Sequence, residues 1–261
     1  MKIKNILLSS LVFNNFLVML NKVFLRFFDT KSSLTKEDLF IWLKKNENTI
    51  TNFCSNLDKK LWIETKQEIE KILEISKENL KNIPYDLGGA AATDLIYFLT
   101  RYSNPKTVVE TGVGAGFSSF SILQALKVNN NVGKLYSSDF PYFRLPNPTR
   151  YVGAVVPNEF KHEWKLYLDG DKINLNKISD SIRTIDLFHY DSDKSYSGRK
   201  LALELITPKI HKDSWLIMDD IGDNSFFYDF VYSNNFNNRY KIFKIKNKWV
   251  GLIHPKLDKN I

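Results

Sequence analysis

An α/β fold follows from three features of the sequence. From Lys106 onward, short β-branched runs alternate with helical stretches, the pattern of a parallel sheet covered on both faces. Ahead of that point, apolar residues recur at helical spacing. At the far end, Tyr240 to His254 alternates apolar and polar residues around Asn247, which reads as an antiparallel hairpin closing a sheet edge. The expectation is a Rossmann-like doubly wound sheet, mostly parallel with an antiparallel C-terminal hairpin, preceded by N-terminal helices.

The elements can be justified in order. Leu8, Leu11, Val12, Leu17, Leu20, Val23, Phe24 and Phe27 lie mostly at helical spacing, with Asn, Ser, Lys22 and Arg26 between them. That stretch reads as an amphipathic helix over 1–30. Asn14 and Asn15 interrupt it and no small-x-small cleavage site follows, so it reads as neither a spanning helix nor a signal peptide. It is expected to dock on the protein or a second subunit in a homo-oligomer, or to contact a membrane surface through residues 5–28. Ser33, Thr35, Glu37 and Asp38 supply cap candidates and an acidic first turn for the next helix. Leu61 to Leu80 keeps helical period and stops before Pro84. Ala90 to Arg101 reads as one more helix, completing an all-helical extension or cap over 31–104. The α/β domain then occupies 105–261. Its strands are Thr107–Glu110, Leu135–Asp139, Ile185–Asp191 and Trp215–Asp220, and its helices are Ser118–Leu126 and Gly198–Ile210.

Composition narrows the function classes. The 261 residues are 43% hydrophobic, 14% aromatic and 25% charged, enough to build a large core. One cysteine, Cys54, excludes a disulfide framework and a cysteine-based zinc site, and suits a reducing, cytoplasmic setting. The net charge is +8, but only seven of the 37 basic residues are Arg. Lysine-rich runs such as the C-terminal one coat solvated faces, and the guanidinium forks that grip phosphate are few. A nucleic-acid partner is therefore not expected. The cytoplasmic setting includes a peripheral position at the inner membrane face through the first helix.

Chemistry concentrates at two places. The first is Glu110-Thr-Gly112-Val-Gly114-Ala-Gly116-Phe-Ser118 between a strand and a helix. Glycines there admit close backbone approach to a ligand, and the helix N-terminal amides favour polar or anionic groups. A dinucleotide fingerprint requires G-x-G-x-x-G. This turn is G-x-G-x-G beside a carboxylate, which suits a cationic or amine-bearing ligand better than a pyrophosphate. The segment resembles the first motif, E-x-G-x-G-x-G, of class I S-adenosylmethionine-dependent methyltransferases. That resemblance implies S-adenosylmethionine as cofactor, with Glu110, Gly112, Gly114, Gly116 and Ser118 around it. It also implies Asp139 on the ribose hydroxyls and Gly170-Asp171 near the adenine.

The second place is acidic. Asp191-Ser-Asp193-Lys194 and Asp219-Asp220 fall at the ends of two neighbouring parallel strands, where ligands of open α/β sheets bind. Clustered carboxylates repel, and a hard divalent cation would neutralise them. These residues resemble the D-x-x-K and Asp-Asn elements of cation-dependent O-methyltransferases of the catechol and caffeoyl-CoA type. They are also similar to a bacterial group of sugar and antibiotic O-methyltransferases. The resemblance implies Asp191, Asp219 and Asp220 as ligands of Mg²⁺, Lys194 as the general base that deprotonates the acceptor, and Asp191 as a catalytic residue through the metal it holds. Asp220 stands where the pattern has an amide. His162, His189, His211 and His254 lack metal-ligand spacing and read as packing or surface residues. The segment from Phe140 to Glu163, with Tyr142, Phe143, Arg144, Arg150 and Tyr151, reads as a binding loop, a lid or a dimer contact, and Phe226, Phe227, Tyr228 and Phe230 as pocket walls or core. The expected activity is methylation of a small-molecule or glycan hydroxyl. The alternatives are an NAD(P)-dependent oxidoreductase and a catalytically idle cofactor-binding module.

Overall fold

The computed structural model describes residues 31–90, 92–130, 133–236 and 238–254. The amphipathic segment over 1–30 lies outside them. Helix α1 (Lys36–Lys45) starts at the Thr35 cap, whose hydroxyl accepts from Asp38 N at 3.1 Å. A two-residue strand, β1 (Glu47–Asn48), follows. Helix α2 (Ile50–Leu80) is kinked at Asp58, whose backbone leaves the helical region at φ −158°. The Asp58 carboxylate accepts from Leu61 N at 2.9 Å and recaps the second half, which begins where the sequence pattern places a helix start. Helix α3 (Thr93–Ser103) ends at Asn104 in the left-handed conformation, ahead of Pro105.

The domain alternates thereafter as β2 (Thr107–Thr111), α4 (Phe117–Val128), β3 (Lys134–Ser138), β4 (Trp164–Tyr167), α5 (Asp171–Ser181), β5 (Ile185–Tyr190), α6 (Tyr196–Ile206), β6 (Ile210–Met218), α7 (Phe226–Ser233), β7 (Tyr240–Ile245) and β8 (Lys248–Ile253). The eight strands form one sheet in the order β1-β7-β8-β6-β5-β2-β3-β4. Every described pairing is parallel except those made by β8, which runs against both β6 and β7.

Two expectations need correction. Residues 31–104 are not wholly helical, because β1 pairs in parallel with β7. For the same reason the hairpin does not close the sheet edge, which belongs to β1. A two-residue strand carries no periodicity, so only the partner β7 reveals it.

The strands alternate their side chains between two apolar layers, as the pleat requires. Val108, Leu187 and Ile217 face α2, α3 and α4. Val109, Phe188 and Leu216 face α1, α5, α6 and α7. Both faces are covered, which is why the central strands read as nearly continuous apolar runs. The chain steps from β2 out to β4 and then returns to β5 on the other side of β2. The loops after β2 and β5 therefore diverge, opening a crevice at this switch in direction.

Candidate active site

At the carboxyl ends of the strands, each first loop residue is pinned to its neighbour. Gly112 N donates to Ser138 O, Asp139 N to Tyr167 O, Asp191 N to Thr111 O and Asp219 N to Tyr190 O, all at 2.9 Å. The loops emerge side by side around a cleft of about 330 Å³ lined by Gly112, Gly114, Ser118, Asp139, Asp171, Asp191 and Asp219. Leu87, Gly88, Gly89, Ala92, Thr93, Ile96, Val113, Ala115, Phe117, Phe140, His189, Ser192 and Lys248 complete its wall among the described residues.

The glycine turn has steric reasons for its composition. A Cβ on Gly112 would lie 2.3 Å from the carbonyl oxygen of Asp191, and one on Gly116 2.8 Å from Gly153 Cα. Both positions also have positive φ, 80° and 99°, which glycine adopts without strain. The turn delivers the N-terminus of α4, with Phe117 and Ser118, to the cleft. Asp139 lies beside the turn, accepting from Gly114 N at 2.8 Å and from Phe140 N at 2.6 Å. Asp171 accepts from Ser138 Oγ at 2.7 Å and also from Ser192 Oγ, tying β3 to the loop after β5.

Glu110 is placed differently from the expectation of a cofactor contact. It is fully buried behind the turn and does not line the cleft. Its Oε2 accepts from Ser119 Oγ at 2.5 Å and Ser137 Oγ at 2.8 Å. Its Oε1 lies 3.5 Å from His189 Nδ1, and His189 Nε2 lies 3.8 Å from Asp219 Oδ1. These separations exceed normal hydrogen-bond lengths, so the attraction is Coulombic. Burial alone would lower the His189 pKa; Asp219 and Glu110 more than reverse that, and it is pushed up to about 10. An imidazolium thus sits between two buried carboxylates. His189 is no packing histidine, and period two is the signal that could have found it, since it shares a strand face with Leu187 and Asp191. Gly116 and Gly170 also lie off the cleft wall and act as turn residues, Gly170 with φ 85° ahead of α5.

The acidic group is partitioned among cations of the chain. Lys194 Nζ donates to the Asp191 carboxylate, to Asp191 O at 2.9 Å, and lies 3.1 Å from Asp220 Oδ2. Lys248, on β8, reaches Asp220 Oδ2 at 3.0 Å. Arg199, fully buried on α6, donates to Asp220 O at 2.7 Å and Lys194 O at 3.4 Å, locking the loops after β5 and β6 together. Burial raises the Asp191 carboxyl, and Asp219 nearby adds to it. Burial would also raise Asp220, but Lys194 and Lys248 hold it below the usual carboxylate range. Asp219 has no hydrogen-bond partner for either buried oxygen.

The expected Mg²⁺ site of Asp191, Asp219 and Asp220 is not assembled. Among the described residues no group of three His, Cys, Asp or Glu is placed to hold a metal ion. Asp219 faces His189, while Asp191 and Asp220 converge on a lysine. Lys194 is not among the residues lining the cleft, and its Nζ is engaged by oxygens of Asp191 and Asp220.

Of the two aromatic segments, only Phe140 reaches the cleft among the described residues. Of the stretch after β3, Phe140 lines the cleft, while Tyr142 OH donates to Leu87 O at 2.9 Å and Tyr151 packs edge-on against Tyr85. Phe143 and Arg144 stack on each other. Phe226 and Phe227 are core residues of α7, and none of Phe226, Phe227, Tyr228 and Phe230 lines the cleft.

A family model described as a methyltransferase domain matches residues 109–221. Over that span the chain is similar to methyltransferase domains. The matched span starts one residue before Glu110 and ends just after Asp220, so it encloses both the glycine turn and the acidic loops. Solved structures share the fold at low identity. A Staphylococcus aureus protein provisionally described as a caffeoyl-CoA O-methyltransferase matches with TM-score 0.53 and 16% identity, over 76% of this chain and 99% of that one. The Podospora anserina methyltransferase PaMTH1, solved with S-adenosylhomocysteine, gives 0.51 and 12%, covering 84% and 94%. The Streptomyces achromogenes O-methyltransferase TomG, solved with S-adenosylmethionine, gives 0.50 and 13%, covering 70% and 88%. No curated protein matches the chain. Among the described residues no helix is long and apolar enough to cross a membrane.

Proposed function

We propose that this methyltransferase domain uses S-adenosylmethionine to methylate a hydroxyl of a small molecule or glycan. The observation that carries the reading is the cleft itself. The glycine turn, the α4 N-terminus, Asp139 and Asp171 line one side, and Asp191 and Asp219 face them from the other. Its volume falls within the roughly 300–1,000 Å³ range of small-ligand pockets.

The donor set fits that cofactor. The Phe117 and Ser118 amides at the α4 N-terminus favour its carboxylate. Asp139, a carboxylate on the cleft wall, suits ribose hydroxyls. The Asp219 carboxylate, on the cleft wall and without a hydrogen-bond donor, adds negative charge to the side that the cationic end would meet. Once bound, S-adenosylmethionine supplies an electrophilic methyl group on a sulfonium, which leaves as a neutral thioether. Asp191, with its proton affinity raised by burial, accepts the proton of the acceptor hydroxyl as the new C–O bond forms. Lys194 fixes the orientation of that carboxylate. Positioning the hydroxyl in line with the methyl carbon supplies much of the remaining acceleration. No step passes through Mg²⁺, since the carboxylates do not form its donor set.

The test is a calorimetric titration of the full chain with S-adenosylhomocysteine, with NADH as control, followed by cofactor-consumption assays with catechol and sugar acceptors. Micromolar binding of S-adenosylhomocysteine alone, with acceptor-dependent turnover, is the expected result. Binding of NADH alone would replace the reading with an oxidoreductase, and binding without turnover on any hydroxyl would leave a cofactor-binding module.

A further inference from the structure

In this fold an acidic cleft invites a divalent cation, yet each carboxylate that would hold one already faces a positive group of the chain. Lys194 Nζ is bonded to the Asp191 carboxylate and lies 3.1 Å from Asp220 Oδ2. Lys248 Nζ lies 3.0 Å from the same Asp220 oxygen. Asp219 is turned toward His189. We infer that Lys194 and Lys248 take the place of the divalent cation in this cleft, so that methyl transfer here runs without a bound metal. The inference rests on the methyl-transfer reading and adds to it how the acidic loops are neutralised.

Three observations support it. Lys248 reaches the site because β8 lies antiparallel beside β6, with Ile221 N donating to Trp249 O at 3.0 Å just beyond Asp220. The second ammonium is therefore delivered by the sheet register. Arg199 then holds the carbonyls of Lys194 and Asp220 at 3.4 and 2.7 Å, so the loop that carries Lys194 is anchored to its partner carboxylate. Finally, Asp220 adopts a left-handed backbone, φ 54°, an uncommon conformation outside glycine, and its side chain meets both lysines. A hard cation needs several free oxygens. A metal on Asp191 and Asp220 would have to expel Lys194 and sit beside Lys248, against Coulomb repulsion.

The experiment reads metal binding directly. Mn²⁺ is titrated into the full chain, with and without S-adenosylhomocysteine, and followed by electron paramagnetic resonance. The wild type should show no Mn²⁺ site tighter than about 1 mM, and S-adenosylhomocysteine binding should be unchanged in excess chelator. The Lys194→Met/Lys248→Met double variant uncovers both carboxylates and should bind Mn²⁺ at least about tenfold more tightly than the wild type. The Lys248→Met single variant, at a half-exposed position that tolerates change, should show a smaller gain. A stoichiometric micromolar Mn²⁺ site in the wild type, or turnover abolished by chelator and restored by Mg²⁺, overturns the inference. So does a folded double variant with no gain. Failure to bind S-adenosylhomocysteine would refute the methyl-transfer reading instead, while the Mn²⁺ titration still reports on the lysines.

Discussion

On the β2–β3 side of the cleft the polar groups are held by backbone amides and hydroxyls. Asp139 takes two amides, Asp171 takes two serines, and the glycines make room for a neighbouring main chain. On the β5–β6 side the groups are held by charges from distant elements: Lys194 by two carboxylates, Asp220 by a lysine on β8, and His189 by carboxylates on β2 and after β6. The first side is held by neutral donors and shaped for a ligand. The second is a charge-compensated network in which removing one member strands the others.

That contrast sets the order of expected effects. His189→Gln removes the cation between Glu110 and Asp219, and breaking a buried ionic pair costs about 3–5 kcal/mol, so denaturant unfolding should show the largest loss of stability there. Its pH dependence carries a sign. Because the folded His189 pKa is raised from 6.5 to about 10, its stabilising contribution is complete below the unfolded value and fades as pH rises toward the folded one. Wild-type stability should decline across that interval and the His189→Gln profile should be flatter; parallel profiles would break the network picture. Gly112→Ala tests the other side. Its Cβ would meet the Asp191 carbonyl at 2.3 Å, and overpacking with backbone strain should cost about 2–4 kcal/mol, read by the same unfolding experiment.

Asp139→Ala should spare the fold and weaken S-adenosylhomocysteine by about 10–100-fold, as expected for losing a hydrogen bond to a charged group. Calorimetry showing unchanged affinity would remove Asp139 from the cofactor site. The smallest effect belongs to Lys248→Met. Its side chain is 54% exposed, and such ion pairs contribute about 0–1 kcal/mol, so thermal unfolding should barely move even though Mn²⁺ affinity rises.

Much of the fold was legible because its signals are local. The Thr35 cap, the helix stop before Pro105 and the hairpin around Asn247 each depend on a few adjacent residues. The glycine turn was legible for the same reason, with Gly112, Gly114 and Asp139 all on the cleft. Glu110 was misplaced because motif spacing locates a residue along a strand, whereas the pleat and the helix above decide whether it faces ligand or core. Ser119 on α4 and Ser137 on β3 enclose it. The strand period puts His189 on a face with Leu187 and Asp191, but its ionic partners, like the role of Lys248, come from register across β2, β5, β6 and β8.

By itself the sequence determined the α/β alternation, the glycine turn and the presence of Asp191, Asp219 and Asp220 at strand ends, since hydrophobic period and turn chemistry act over a few residues. Tertiary structure alone decided that β1 caps the sheet, that Glu110 turns inward to a buried imidazolium, and that a lysine from the loop after β5 and another from β8 meet the acidic pair. Coulomb energies and burial depend on distances between residues far apart in the chain, and strand order and register decide those distances.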